Sequence, residues 1–197
     1  YEPLRVTTQE EHTRAVMKIQ EGCDNRCTYC VIHSVRGPVR SRDPESIRRE
    51  ALALSEAGYR EIVVTVGASE AIDAVLRVLT GPGDEVLIPD PSYVSYSPSV
   101  LFAGGTPVAV RTREETGFIL EADAVRAAIT PHTKALILPY PNNPTGGIMK
   151  RQELEALAAV VREKQILVIS DEIYAELTYG GLQHESFGAL NGMWDYT

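Results

Sequence analysis

The sequence predicts an α/β fold of three layers, in which helices cover both faces of a mostly parallel sheet. Strand-like apolar runs alternate with helix-like patterns along most of the 197 residues. These strand runs are apolar throughout, as in strands that are buried on both faces, and right-handed crossover helices join such strands. Ligands of sheets of this kind bind at the carboxyl ends of the strands, so the loops that follow the strands are the candidate site.

The first sixty residues open this pattern with one strand and one helix. A short strand is predicted over 16–20. Residues 44–57 have helical spacing, with apolar Ile47, Ala51, Leu52 and Leu54 on one stripe, and Gly58 follows as a stop signal. We expect this segment to be a βαβ piece that ends on the next strand.

From residue 61 onward, strands and helices alternate to the end of the sequence. The predicted strands are 61–66, 85–88, 107–110, 134–138 and 166–170. The predicted helices are 70–79, a segment that ends near residue 103, 121–129 and 151–164. Because each helix is long enough to cross back over the sheet, this order favours parallel strands.

Composition separates the chain into two parts. The hydrophobic share of 44% and charged share of 23% are ordinary for a globular protein that buries a core. Residues 1–60 hold 10 Lys and Arg against 9 Asp and Glu, so the totals of 19 and 27 leave 9 against 18 in residues 61–197. We therefore predict two domains, 1–60 and 61–197. The net charge of −8 argues against a nucleic-acid binder as a whole.

The start of the sequence and its hydropathy bear on the cellular location of the protein. No apolar stretch approaches the length of a membrane span, and no signal-peptide pattern stands at the start. The sequence opens on Tyr1 rather than Met, so we expect it to be cut from a longer reading frame. We expect a cytoplasmic protein without a membrane partner.

Four loops after predicted strands carry residues that suit a phosphorylated ring ligand. Small residues in 67–69 precede a helix, whose free N–H groups attract phosphate, although Ser69 also fits an ordinary N-cap. Tyr93 is an aromatic that can stack or simply pack. The loop 142–146 (NNPTG) is also typical of a turn. The segment 171–174 (DEIY) places a carboxylate after an apolar strand, as a helix cap or as the partner of a charge.

Together these loops resemble the pyridoxal-phosphate (PLP) aminotransferases of fold type I, the class I/II enzymes of the aspartate type. The resemblance covers about residues 61–197 and is carried by the NPTG and DEIY segments. It implies a PLP site whose protein groups reach the ring nitrogen, the phenolate oxygen, the ring face and the phosphate. The residues implied are, in that order, Asp171, then Asn143 and Tyr174, then Tyr93, then Ala68 and Ser69.

The same resemblance implies a catalytic residue that is not among these 197. In the family a lysine forms a Schiff base with PLP in a Ser-x-x-Lys segment, and none of Lys18, Lys134, Lys150 and Lys164 has that context. We therefore expect no catalytic residue here, and cofactor binding without transamination. The implied substrates are an amino acid or a keto acid, and the implied assembly is a homodimer.

Three cysteines form a separate cluster in the first sixty residues. Cys23, Cys27 and Cys30 have C-x3-C-x2-C spacing, which in a cytosolic protein favours metal over disulfides. Three thiolates can hold a [4Fe–4S] cluster with one iron open. A Cys3His zinc site that uses His33 is an alternative, and three reduced thiols without metal are another.

Residues 10–65 resemble the radical S-adenosylmethionine (SAM) tRNA methylthiotransferases. The resemblance rests on the cysteine spacing and on the flanking runs 17–23 and 36–42, and it implies that Tyr29 lies near the adenine of SAM. The basic run 36–42 suits a tRNA partner electrostatically, or is a solvated connector. We expect a chimera joined at 61–65, with two alternatives to PLP binding: a SAM-binding iron–sulfur protein that acts on tRNA, or an inert fragment.

Overall fold

The chain divides into two compact units, which are described separately. The computed structural model describes residues 14–16, 19–21, 24, 37–56, 61–63, 65 and 67–197. The first unit is Tyr1–Thr65 and the second is Val66–Thr197. Among the described residues, no helix has both the length and the apolar character needed to cross a membrane.

The described residues of the first unit form two pairs of short strands and one helix. Its elements are β1 (Arg14–Val16), β2 (Gln20–Glu21), β3 (Arg40–Ser41), α1 (Pro44–Glu56) and β4 (Glu61–Val63). β1 pairs with β4 in parallel, and α1 lies between them in sequence, which is βαβ connectivity. β2 pairs with β3 in antiparallel fashion. The prediction of one strand over 16–20 was wrong, because β1 ends at Val16 and β2 is a separate strand with another partner.

Arg42 ties β3 to α1 and is buried. Its Nη2 lies 2.5 Å from Glu50 Oε2, and its Nε donates to Ser46 Oγ at 3.0 Å. Its backbone N–H donates to the Ile19 carbonyl at 2.8 Å. Arg42 as a whole is only 5% exposed, and its charge is matched inside the unit by Glu50. The interpretation of the basic run as a tRNA-facing surface was therefore wrong for Arg42, because a buried, paired cation cannot reach a phosphate.

The second unit contains the predicted parallel sheet. Its strands are β5 (Glu85–Asp90), β6 (Thr106–Arg111), β7 (Thr133–Leu138) and β8 (Leu167–Ser170). Its helices are α2 (Gly67–Leu79), α3 (Tyr96–Phe102), α4 (Ala122–Ala128) and α5 (Arg151–Lys164). The strand order is β6-β5-β7-β8, and every pair is parallel.

Two hydrophobic clusters, one on each face of this sheet, make the three layers. Alternate residues of β7 point to opposite sides, as the period of a strand requires. Leu136 and Leu138 belong to the cluster formed with α4 and α5. Ala135 and Ile137 belong to the other cluster, which α2 and α3 cover. The predicted α/β fold with a mostly parallel sheet is confirmed, and all strand pairs of this sheet are parallel.

Three element boundaries bear on the candidate site. α2 begins at Gly67 rather than at residue 70, so Ser69 lies inside the first turn and is not the N-cap. α3 begins only at Tyr96, and Pro98 fits there because the first turn needs no internal N–H donor. The strand predicted over 61–66 is observed over Glu61–Val63, where it pairs with β1.

Candidate functional site

Asp171 lies at the carboxyl end of β8 and is 9% exposed. Its backbone N–H donates to the Leu138 carbonyl at 3.0 Å, which continues the β7–β8 pairing past the strand end. Its Oδ2 accepts a hydrogen bond from the Tyr96 hydroxyl at 2.7 Å. Its Oδ1 accepts one from the Ile173 N–H at 3.2 Å. The carboxylate is thus fixed in orientation, and lone pairs remain for a further donor.

Tyr96 is a site residue that the sequence did not reveal. It is buried in the cluster under α2 and α3, while its hydroxyl reaches Asp171. Burial, and then the nearby charge of Asp171, hold the pKa of Tyr96 well above its usual value, so the phenol remains a proton donor. Its ring lies edge-on to that of Tyr93, with centroids 5.5 Å apart and an interplanar angle of 80°. The available signal was the second tyrosine three residues after Tyr93, at the start of a helix.

The NPTG loop contacts two other loops. Asn143 Nδ2 lies 3.4 Å from the Tyr174 hydroxyl, at the long end of a hydrogen bond, so both groups keep capacity for another partner. Asn142 is buried, and its Nδ2 donates to the Pro91 carbonyl at 2.9 Å. Asn142 thereby ties the loop of Asn143 to the loop that carries Tyr93. No role was predicted for Asn142, because an asparagine before Asn-Pro is typical of a turn.

The small-residue loop is the first turn of α2. Gly67 has a φ of +76°, a conformation that favours glycine. Ala68 and Ser69 follow it inside the helix, and Ser69 is exposed. α2 packs through Ile72 and Leu76 onto the same cluster as Tyr96. The first N–H groups of a helix have no partner inside the helix, and they attract an anion such as a phosphate.

The predicted site residues fall into three groups. In the loops at the strand ends, Asn143 contacts Tyr174. Asp171 accepts a hydrogen bond from Tyr96, and the ring of Tyr93 contacts that of Tyr96. Ala68 and Ser69 are placed by the packing of α2 on the same face of the sheet. The third group lies outside the described residues: Cys23, Cys27, Cys30, Tyr29 and the alternative zinc ligand His33.

The described lysines lie at the amino end of β7 or at the ends of α5. Lys134 lies at the amino end of β7, with its Nζ 3.9 Å from Asp84 Oδ1. Lys164 ends α5 and pairs with Glu163 at 3.0 Å. Lys150 precedes α5, and its backbone N–H donates to Glu153. Each of these side chains is exposed and serves local ion pairs or a helix terminus.

Comparison with known proteins gives one consistent family. The family model for aminotransferase class I and II matches residues 48–193, more than half of the chain. The Bacillus subtilis protein YugH, an aminotransferase by name, is 36% identical over 199 residues, which covers 100% of this chain and 49% of YugH. The aspartate aminotransferase of Pyrococcus abyssi is 44% identical over 70% of this chain and 36% of its own length. The chain therefore spans about half or less of these relatives.

Solved structures give the same result. The aromatic aminotransferase of Pyrococcus horikoshii superposes with a TM-score of 0.65 at 42% identity, over 66% of this chain and 35% of that one. A mutant aspartate aminotransferase of Thermus thermophilus superposes with a TM-score of 0.63 at 46% identity, over 66% and 35%. The parallel sheet accords with these matches, and the chain belongs to the class I and II aminotransferase family.

Proposed function

We propose that the second unit binds PLP at the carboxyl ends of its strands. The observation that carries the proposal is the buried Asp171 carboxylate, which Tyr96 fixes from the neighbouring helix layer at 2.7 Å. PLP is the cofactor of the family, in which it supplies an electron sink that a protonated ring nitrogen strengthens. A fixed carboxylate stabilises a cation beside it, so Asp171 suits that ring nitrogen.

The neighbouring groups suit the rest of the cofactor. Asn143 and Tyr174 are 3.4 Å apart, and both can donate to one phenolate oxygen placed between them. Tyr93 is partly exposed, and its ring can offer a face for stacking. The N–H groups at Ala68 and Ser69, with the Ser69 hydroxyl, suit the phosphate.

The residues of this chain favour binding without a covalent link to the cofactor. The family attaches PLP to a lysine, and the described lysines are exposed at the amino end of β7 and at the ends of α5. We therefore propose that these 197 residues bind PLP reversibly and do not transaminate by themselves. The substrate class would be an amino acid or a keto acid, and the assembly a homodimer.

A PLP titration tests this function. The wild-type chain should change the absorption spectrum of PLP saturably, and borohydride should trap no adduct on Lys134, Lys150 or Lys164 in peptide mass maps. Pyridoxal, which lacks the phosphate, should bind more weakly because it cannot use the α2 N-terminus. Absence of saturable binding would refute the PLP proposal. A stoichiometric lysine adduct would refute only the reversible mode.

The iron–sulfur alternative stays a prediction that rests on the spacing of Cys23, Cys27 and Cys30. Anaerobic reconstitution with iron and sulfide should give a brown, visibly absorbing protein if the three thiolates hold a cluster, and a triple Cys→Ser variant should stay colourless. SAM binding would then involve Tyr29. A colourless wild type that also binds no PLP would favour the inert fragment.

A further inference from the structure

Glu172, which follows Asp171, contacts four polar groups with one carboxylate. Its Oε1 accepts hydrogen bonds from Ser170 Oγ and Ser186 Oγ, each at 2.8 Å, and from the Phe187 N–H at 3.3 Å. Its Oε2 lies 3.0 Å from His184 Nε2. Three of these four polar groups belong to residues 184–187, which follow β8 at a distance along the chain. One carboxylate therefore joins the end of β8 to this later segment.

Glu172 and Asp171 face opposite sides of the sheet. Along β8, Val168 belongs to the cluster under α5, and Ile169 packs on the cluster that contains Tyr96. The alternation continues past the end of the strand: Asp171 meets Tyr96, and Glu172 meets the segment that contains the buried Phe187. The backbone of residues 170–172 is thus held by polar contacts from both faces.

The segment on the far face is itself firmly placed. Phe187 is 1% exposed and lies in the same cluster as the buried residues of α5. Arg151, at the start of α5, donates to Glu185 Oε2 at 2.6 Å. Residues 184–187 can hold Glu172 in position only if they are themselves held. The packing of Phe187 and the Arg151–Glu185 ion pair hold them.

We propose that Glu172 is a positioning residue of the cofactor site, which sets where the Asp171 carboxylate and the Tyr174 hydroxyl point. The inference rests on the proposed PLP function. Without the Glu172 carboxylate, the side-chain hydrogen bonds across the two faces of residues 170–172 would be reduced to the one from Tyr96, beside the backbone pairing with β7. Asp171 would then lose part of its fixed orientation, and Tyr174, two residues beyond Glu172, would shift with the same backbone.

Glu172 is suited to this task because it remains charged. Burial by itself would raise the pKa of Glu172, but hydrogen bonds from His184, Ser170 and Ser186 outweigh it and leave the pKa below its usual value. Hydrogen bonds to a charged acceptor are stronger than those between neutral groups. A neutral side chain that keeps one acceptor oxygen would preserve most of the contacts, whereas alanine would remove all four.

The test compares substitutions at two glutamates of the same loop. Glu172→Ala removes the anchor, Glu172→Gln keeps an acceptor oxygen, and Glu176→Ala is the matched control because Glu176 is exposed. PLP affinity is measured by absorption titration. The second readout is the pH at which the spectrum of bound PLP changes, which reports how well Asp171 stabilises the protonated ring nitrogen.

We expect Glu172→Ala to bind PLP about tenfold more weakly and to change its bound spectrum at a lower pH than wild type. Glu172→Gln should stay within about threefold of wild type, and Glu176→Ala should match it. Weaker binding with an unchanged spectral pH would make Glu172 merely structural and overturn the inference. So would a Glu172→Ala variant that equals Glu176→Ala in both readouts.

Two further outcomes are also decisive. If circular dichroism shows that Glu172→Ala does not fold, Ser186→Ala decides instead, because it removes a single donor to Glu172 Oε1. We expect it to weaken PLP binding about two- to threefold and to lower the spectral pH in the same direction. No change in Ser186→Ala would overturn the inference. A wild-type chain that binds no PLP would overturn the proposed function, and the inference with it.

Discussion

Substitution of Tyr96 by phenylalanine removes one oxygen and tests the contact that orients Asp171. The Tyr96 hydroxyl donates to Asp171 Oδ2 at 2.7 Å, and both residues are buried. A hydrogen bond to a charged group contributes about 1.5–3 kcal/mol, and Asp171 would keep only the Ile173 N–H at 3.2 Å. We therefore expect Tyr96→Phe to lower the free energy of unfolding by about 2 kcal/mol.

The assay is urea unfolding followed by circular dichroism, with Tyr179→Phe as the control. Tyr179 is 79% exposed, so loss of its hydroxyl should change the free energy of unfolding by less than about 0.5 kcal/mol. The same variants should separate in PLP titrations, with affinity about tenfold lower in Tyr96→Phe. If Tyr96→Phe equals Tyr179→Phe in both stability and PLP affinity, the reasoning about Asp171 is refuted.

Alkaline pH gives the same variant a second readout. The pKa of Tyr96 is raised by burial, so above about pH 10 the unfolded chain loses this proton while the folded chain keeps it. The folded state then binds one more proton than the unfolded state, and stability falls as the pH rises. In this range the free energy of unfolding of wild type should fall by about 1.4 kcal/mol per pH unit more than that of Tyr96→Phe. Parallel stability curves for the two proteins would contradict the placement of Tyr96.

Three further predictions follow. Asp171→Asn should weaken PLP binding by tenfold or more, because the neutral amide no longer stabilises a protonated ring nitrogen, and an unchanged affinity in the titration would exclude that pairing. The pKa of Glu172 lies below 4.5, so its contribution to stability is present above about pH 4.5 and is lost as the pH falls through the folded value; urea midpoints should decline more steeply with acid in wild type than in Glu172→Gln, and equal slopes would contradict this. Arg42→Ala should destabilise the first unit by about 3–5 kcal/mol, because it leaves Glu50 buried without its partner, whereas exposed Arg49→Ala should have little effect; equal thermal midpoints for the two variants would show that the ion pair does not form.

The sequence predicted the elements that depend on local pattern. The apolar runs of β5, β7 and β8 were identifiable because their residues alternate between two buried faces and leave no polar positions inside the strand. α5 was predicted with its observed bounds, since buried Leu154, Leu157 and Val161 keep helical spacing. Asp171 and Asn143 were named through the family resemblance of the DEIY and NPTG segments, which lie in the loops after β8 and β7.

Contacts between distant segments could not be predicted in the same way. Tyr96 and Asp171 are 75 residues apart, and a tyrosine on an apolar helix stripe looks like any core residue. The Arg42–Glu50 pair is similar, because a basic connector and a buried ion pair share the same composition. The start of α2 was predicted three residues too late. Glycine is typical of a loop, and Gly67 has a φ of +76°, although it begins the helix.

A crystal structure of the wild-type chain grown with PLP tests the central claim most directly. The account predicts the pyridine nitrogen within hydrogen-bond distance of Asp171, the ring against Tyr93, and the phosphate at the first turn of α2. Density for PLP at any other surface, or its absence at saturating cofactor while Asp171 still contacts Tyr96, would contradict it.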